Sequence, residues 1–108
     1  MDILYSKPMA GLRPFEELRN EGQAALIQFL TIDLELAATF LQTARVEAYV
    51  DPIRVPEVLS KVRVALRAIR HFSGRVEDRS VWQDIHRRTD EIESECNHLR
   101  RMMGHNQL

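Results

Sequence analysis

An all-α fold, a three-helix antiparallel bundle, is what this sequence predicts, on three observations. Trp82, Ile85, Thr89, Ile92, Cys96, Leu99 and Met103 fall at alternating steps of three and four, the spacing of a narrow helical seam that other helices must cover. Val55, Val58, Val62, Ala65, Ile69 and Phe72 repeat that pattern, with Leu59 and Leu66 broadening the stripe, so a second helix carries a matching apolar face. Breakers are scarce, with four glycines and four prolines in 108 residues; links are therefore short and neighbouring helices antiparallel. A chain that is 44% hydrophobic and 29% charged is composed like a folded domain, and its length suits one domain spanning 1–108.

Residues 1–13 combine Pro8 and Gly11 with Ile3, Leu4, Tyr5, Met9 and Leu12, the composition of an irregular arm apolar enough to dock. Pro14 suits a first helical turn, where its missing N–H costs nothing, and Glu16 and Glu17 then meet the positive end of the dipole. Helix 1 is expected over about 14–49, weakened at Gly22 by roughly 1 kcal/mol relative to alanine. Asp51-Pro52 marks the first turn, because proline disfavours helical geometry in the residue before it. Helix 2 is expected over about 55–73; its valines are mediocre helix formers, so packing must hold it. Gly74 suits a C-cap and Asp78 the start of helix 3, over about 78–103, which Gly104 ends to leave a tail of 104–108.

On a wheel at 100° per residue, helix 1 places Leu26, Phe29, Leu30, Leu36, Ala37, Phe40, Leu41 and Ala44 on one broad face with Asp33 in its middle;. Burying an unpaired carboxylate costs several kcal/mol, so Asp33 is expected to find a partner. Folding helix 2 back near Pro52 levels residue 33 with roughly residue 71, and helix 3 brings residue 81 to the same height. Arg70 flanks the apolar stripe there, and Trp82 offers an indole N–H. A buried polar pair of Asp33 with Arg70, with Trp82 as a further donor, is the expectation. It fixes helix register or, alternatively, lines a small-ligand pocket.

Glu91, Glu95 and His98 share one face, and Glu95-Cys96-Asn97-His98 has the Glu-x-x-His spacing of a helical metal ligand pair;. No second such motif follows on helices 1 and 2, and the trio lies nearly opposite the Trp82–Met103 seam, so a solvated charged face is expected rather than a metal site. His98 is a weaker candidate for phosphotransfer, with no glycine opening space beside it. No nucleophile has a base beside it and no phosphate loop is present, so no catalytic residue and no cofactor is implied.

The net charge of −1 hides an uneven distribution: four basic and eight acidic residues through Ile53, six and one over 54–75, five and seven from Val76 on. A basic middle helix packed between acidic neighbours satisfies this asymmetry internally and requires no nucleic acid. Arg63, Arg67 and Arg70 form a stripe that could grip phosphates, but pairing with carboxylates of helices 1 and 3 is the favoured expectation, and no aromatics are interleaved to stack bases. One cysteine, Cys96, suits a reducing compartment. No basic segment followed by an apolar stretch opens the chain, so neither secretion nor membrane spanning is expected and the cytoplasm is the default.

Apolar residues cover an arc of about 240° on helix 1 once Ile27, Ile32, Leu34 and Ala38 are included, whereas two neighbouring helices hide little more than half a helix. Either the arm or the same face of a second copy must cover the rest. A homodimer with helix 1 at its centre, forming a larger bundle through Ile27, Ile32 and Leu34, is the preferred expectation; another protein is the alternative partner.

The stretch from Asp33 to Ala44, Asp-Leu-Glu-Leu-Ala-Ala-Thr-Phe-Leu-Gln-Thr-Ala, resembles short bacterial all-helical proteins built around an Asp-Leu-x-Leu-Ala-x-Thr-Phe-Leu-x-x-Ala helix, loosely over residues 15–100. The resemblance implies a helical fold in a bacterial protein and transfers no catalytic or binding residue. A small self-associating interaction or scaffold protein is the resulting functional expectation. A ligand- or metal-binding bundle is its main rival and a phosphotransfer bundle the lesser one.

Overall fold

Three helices joined by two tight connections make up the computed structural model, which describes the backbone of residues 2–106 and the side chains of residues 14–104. Helix α1 spans Asp2–Val50, α2 spans Val55–Ser73 and α3 spans Arg79–Asn106, with a 3-10 turn at Pro52–Arg54 between the first two. The three-helix bundle is the architecture its periodicities predict, and α2 has the expected bounds.

Two ends differ from expectation. The backbone over 2–13, expected as an irregular arm, continues α1 through Pro8 and Pro14; each proline removes one rung and leaves the ladder on either side to carry the helix. The side chains of Ile3, Leu4, Tyr5 and Leu12 lie outside the described residues, and with them the arm's expected covering role. At the other end α3 passes through Gly104 to Asn106. Gly104 keeps helical geometry and does not supply the left-handed stop that glycine commonly provides; no described glycine adopts that conformation.

At about 1.5 Å per residue α1 is about 74 Å long, whereas α2 and α3 are about 28 and 42 Å. The long dimension of the molecule, 78 Å, is thus that of α1 itself. A radius of gyration of 20.5 Å, against roughly 13 Å for a compact chain of this size, describes a spine with two shorter helices packed along part of it.

The core lies along one stripe of each helix. On α1 it is Leu30, Leu34, Ala37, Leu41 and Ala44, on α2 the predicted Val55, Val58, Leu59, Val62, Ala65, Leu66 and Ile69, and on α3 Ile85, Thr89 and Cys96. Leu26, Ile27, Phe40, Trp82, Ile92, Leu99 and Met103 pack half-buried around it. The two buried hydroxyls are satisfied locally: Thr89 donates to the Ile85 carbonyl at 2.6 Å and Ser73 to the Arg70 carbonyl at 3.2 Å.

Local chemistry sets the connections. The Asp51 N–H donates to the Glu47 carbonyl and the Arg54 N–H to that of Asp51, so the chain reverses at Pro52 without leaving hydrogen-bonded geometry. Gly74 caps α2 in right-handed conformation (φ −62°). Asp78 is the N-cap that its position predicted: its Oδ1 accepts from the Ser80 N–H at 2.9 Å, the Val81 N–H at 3.2 Å and the Ser80 hydroxyl at 2.8 Å;. Those hydrogen bonds, the Ser80 hydroxyl first, hold the Asp78 carboxyl below its ordinary range. Gln23 of α1 clamps this connection, donating to the Arg75 carbonyl and accepting from the Glu77 N–H, both at 2.9 Å. Arg19 reaches the Glu77 carboxylate one turn earlier. The spine therefore continues past its companions on the N-terminal side of Arg19.

Candidate functional site

Asp33, Arg70 and Trp82 are not brought together. Arg70 bridges to Asp90 at 2.9 Å and to Glu93, both on α3, and these acids raise its pKa above the ordinary arginine value. Trp82 stacks on His86, ring centroids 4.1 Å apart. Asp33 is half-buried, and among the described residues no ion pair includes it. Register separates them. Phe29 meets Phe72 edge-on at 5.6 Å, and the Lys61 ammonium lies 5.8 Å from the Phe40 ring; residue 33 is therefore level with about residue 68, three short of the expected 71, so the pairing of α1 with α2 is centred at the end of α1 rather than on Pro52. Arg70 also faces α3, on the side of α2 away from Asp33.

The broad apolar arc of helix 1 resolves into two seams. The inner one, Leu26, Leu30, Leu34, Ala37, Leu41, Ala44 and Ala48, faces α2 and α3. The outer one is Phe15, Leu18, Gly22, Ala25, Phe29, Ile32, Leu36, Thr39, Thr43, Val46 and Val50, every residue exposed. Its steps alternate three and four without a break, the a/d spacing of a coiled-coil strand. On a wheel the seams are roughly 120° apart, and Asp33 sits on the shoulder between them. The middle of a broad apolar arc is thus an edge, which is why an acid is tolerated there.

Of the residues expected to drive association, only Ile32, 53% exposed, lies on the free face. Leu34 has no exposure and belongs to the core, and Ile27 is packed half-buried against it. Phe29 and Leu36, expected in the core, belong to the outer seam instead. The signal that separates them was in the sequence: two complete three-four registers coexist on helix 1, and a single wheel averages them.

No residue of the outer seam is charged, and its two threonines behave as apolar. Thr39 donates its hydroxyl to the Glu35 carbonyl at 2.9 Å and Thr43 to that of Thr39 at 3.0 Å, which leaves the methyl groups outward. Beside the seam, Asp33, Leu36 and Phe40 of α1 and Lys61, Val64 and Ala68 of α2 line an open groove of about 350 Å³. Val64 is 65% exposed there, so the apolar face extends from α1 onto α2.

Glu91, Glu95 and His98 do not form a ligand set. Glu91 pairs with Arg87 at 2.9 Å and Glu95 with Arg45 of α1 at 3.0 Å, while His98 is exposed beside a cleft with Tyr49 and Met102. Among the described residues no group of three or more His, Cys, Asp or Glu is placed to hold a metal. Of the arginine stripe on α2, Arg70 pairs as expected with α3; Arg63 and Arg67 make no ion pair among the described residues and border a cleft with Arg100. Cys96 forms the floor of that cleft, and burial pushes its thiol pKa up.

The segment Pro14–Val50 is long and apolar enough to cross a bilayer, with a mean hydropathy of 1.6 in its best window. Of that window 22% is buried by α2 and α3, and Asp33 and Glu35 stand midway along the segment. Comparison of the chain with protein-family models, curated proteins and solved structures finds no match in any of the three.

Proposed function

We propose that this protein is a self-associating helical scaffold, two copies of which pair along the outer seam of α1. The observation that carries this reading is the unbroken, uncharged three-four register from Phe15 to Val50 on the exposed side of the spine. A second copy of α1 is the occupant with the same repeat, so knobs of one seam fall at the spacing of the other's holes. Isologous pairing sets a patch against itself, and a seam without charge meets no like-charge penalty in doing so. The seam is about 53 Å long and a helix about 10–12 Å wide, which gives on the order of 1,200 Å² in total for two copies, at the lower edge of stable interfaces. The groove wall at Val64 adds to it. A reducing, cytoplasmic setting is part of the same proposal, supported by a lone buried thiol;.

Light scattering across a concentration series tests it. The wild-type chain is expected to run as a dimer at tens of micromolar, and Ile32→Glu and Leu36→Glu as monomers with unchanged helical content. A monomeric wild type, or a dimer indifferent to both substitutions, would refute the pairing.

A further inference from the structure

Charges on the opposite side of the molecule leave a different feature unexplained. All five carboxylates of α3 are engaged: Asp84 and Glu91 with Arg87, Asp90 and Glu93 with Arg70, and Glu95 with Arg45. The one carboxylate of α2, Glu57, lies six residues before Arg63, about 240° around the helix. Arg63 and Arg67 on α2 and Arg100 on α3 therefore converge with no anionic partner among the described residues. They border a cleft of about 360 Å³, with Asn97 beside them and Leu66 and Cys96 as an apolar floor. Arg63 and Arg100 also border an adjoining recess of about 140 Å³.

We infer that this cleft between α2 and α3 binds a small multivalent oxyanion of the phosphate class, gripped by Arg63 and Arg67 from one side and Arg100 from the other. Guanidinium forks match phosphoryl oxygens bidentately, and Arg63 and Arg67 rise one turn apart, about 6 Å along the axis. The lining carries four arginines against Glu93, and Asp90 also pairs with Arg70, which leaves an excess of two positive charges for a diphosphate group to match. Asn97 adds an amide donor. Its volume falls in the range of small-ligand sites, and no aromatic side chain borders it to stack a base;. The site is independent of the pairing proposed for α1, from which it is separated by the bundle core.

Titration calorimetry with inorganic pyrophosphate at constant ionic strength, with orthophosphate in a parallel series, reads the site directly. One pyrophosphate per chain is expected, bound at least tenfold more tightly than orthophosphate. Arg63→Gln and Arg100→Gln should each weaken it about tenfold or more, Arg63→Lys less, and Arg54→Gln, outside the cleft, should leave it unchanged. Circular dichroism of each variant establishes that the bundle is intact. Absence of binding at millimolar pyrophosphate overturns the assignment, as does equal weakening by Arg54→Gln, which would mean diffuse attraction to a basic helix. Equal affinity for both anions removes the multivalent character, and a DNA duplex that binds where pyrophosphate does not would assign the arginines to nucleic acid instead.

Discussion

Leu34 and Leu36 stand two residues apart on the same helix and differ in everything that determines the cost of losing them. Leu34 has no exposed surface, enclosed by the bundle, whereas Leu36 is 44% exposed on the outer seam. Truncating Leu34 to alanine removes its transfer free energy and leaves a cavity in the core between α1 and the α2 stripe, for which about 3 kcal/mol is expected. In a domain of this size that lowers the melting midpoint by about 12 °C or more. Leu36→Ala removes a side chain little more than half covered, beside an open groove that leaves no enclosed void. In the isolated protomer it should cost about 1 kcal/mol. Urea unfolding followed by circular dichroism, on dilute protein, measures both from shifts in midpoint at constant slope. A Leu36→Ala cost equal to or above that of Leu34→Ala under dilute conditions would show that the seams have been assigned to the wrong sides of α1. Raising the concentration should then increase the Leu36→Ala cost alone, because only that residue lies on the pairing face.

Two further outcomes follow from individual side chains. The Asp78 and Glu77 carboxyls are both held below their ordinary range, by the Ser80 and Val81 donors and by Arg19 respectively; a depressed native pKa stabilises the fold above the unfolded value and is lost as pH falls through the native one, so stability should decline below about pH 4. Asp78→Ala should flatten that acid limb and lower the melting midpoint by about 4 °C, and an unchanged acid limb in that variant would rule out the cap as its source. The Cys96 thiol is 2% exposed with its pKa raised by burial, so a thiol reagent at mildly alkaline pH should modify it only as fast as the bundle opens; labelling at the rate of a free thiol would contradict that burial.

Legibility followed locality. The α2 stripe is buried as its three-four spacing requires, Asp78 caps α3 and Asp51-Pro52 makes the turn, because each depends on residues within one or two turns of each other. Helix 1 was harder. With an apolar arc of about 240° its wheel has no unique inward direction, and a single averaged direction placed Asp33 at the centre and Leu34 outside. Both assignments reverse once the arc is divided into two seams. Arg70 is the cation beside the core that its place on the wheel predicts, but its acids are Asp90 and Glu93 of α3 rather than Asp33, since its partner depends on how far the helices slide past one another. Arg63 and Arg67 of the anion cleft are visible in the sequence as part of a stripe, but Arg100 opposite them and their lack of partners are not, because these rest on where α3 and its five acids lie.

Periodicity, caps and breakers in this chain determine by themselves an all-α bundle of three helices and the faces of α2 and α3, since hydrogen-bond ladders and a three-four repeat are properties of consecutive residues. Tertiary structure alone decided which side of α1 meets the bundle, which acid neutralises which arginine, and which cations are left in a cleft. Those depend on axial register and rotation between helices, and the register of α1 against α2 differs from the one counted back from Pro52 by about three residues, nearly a full turn;.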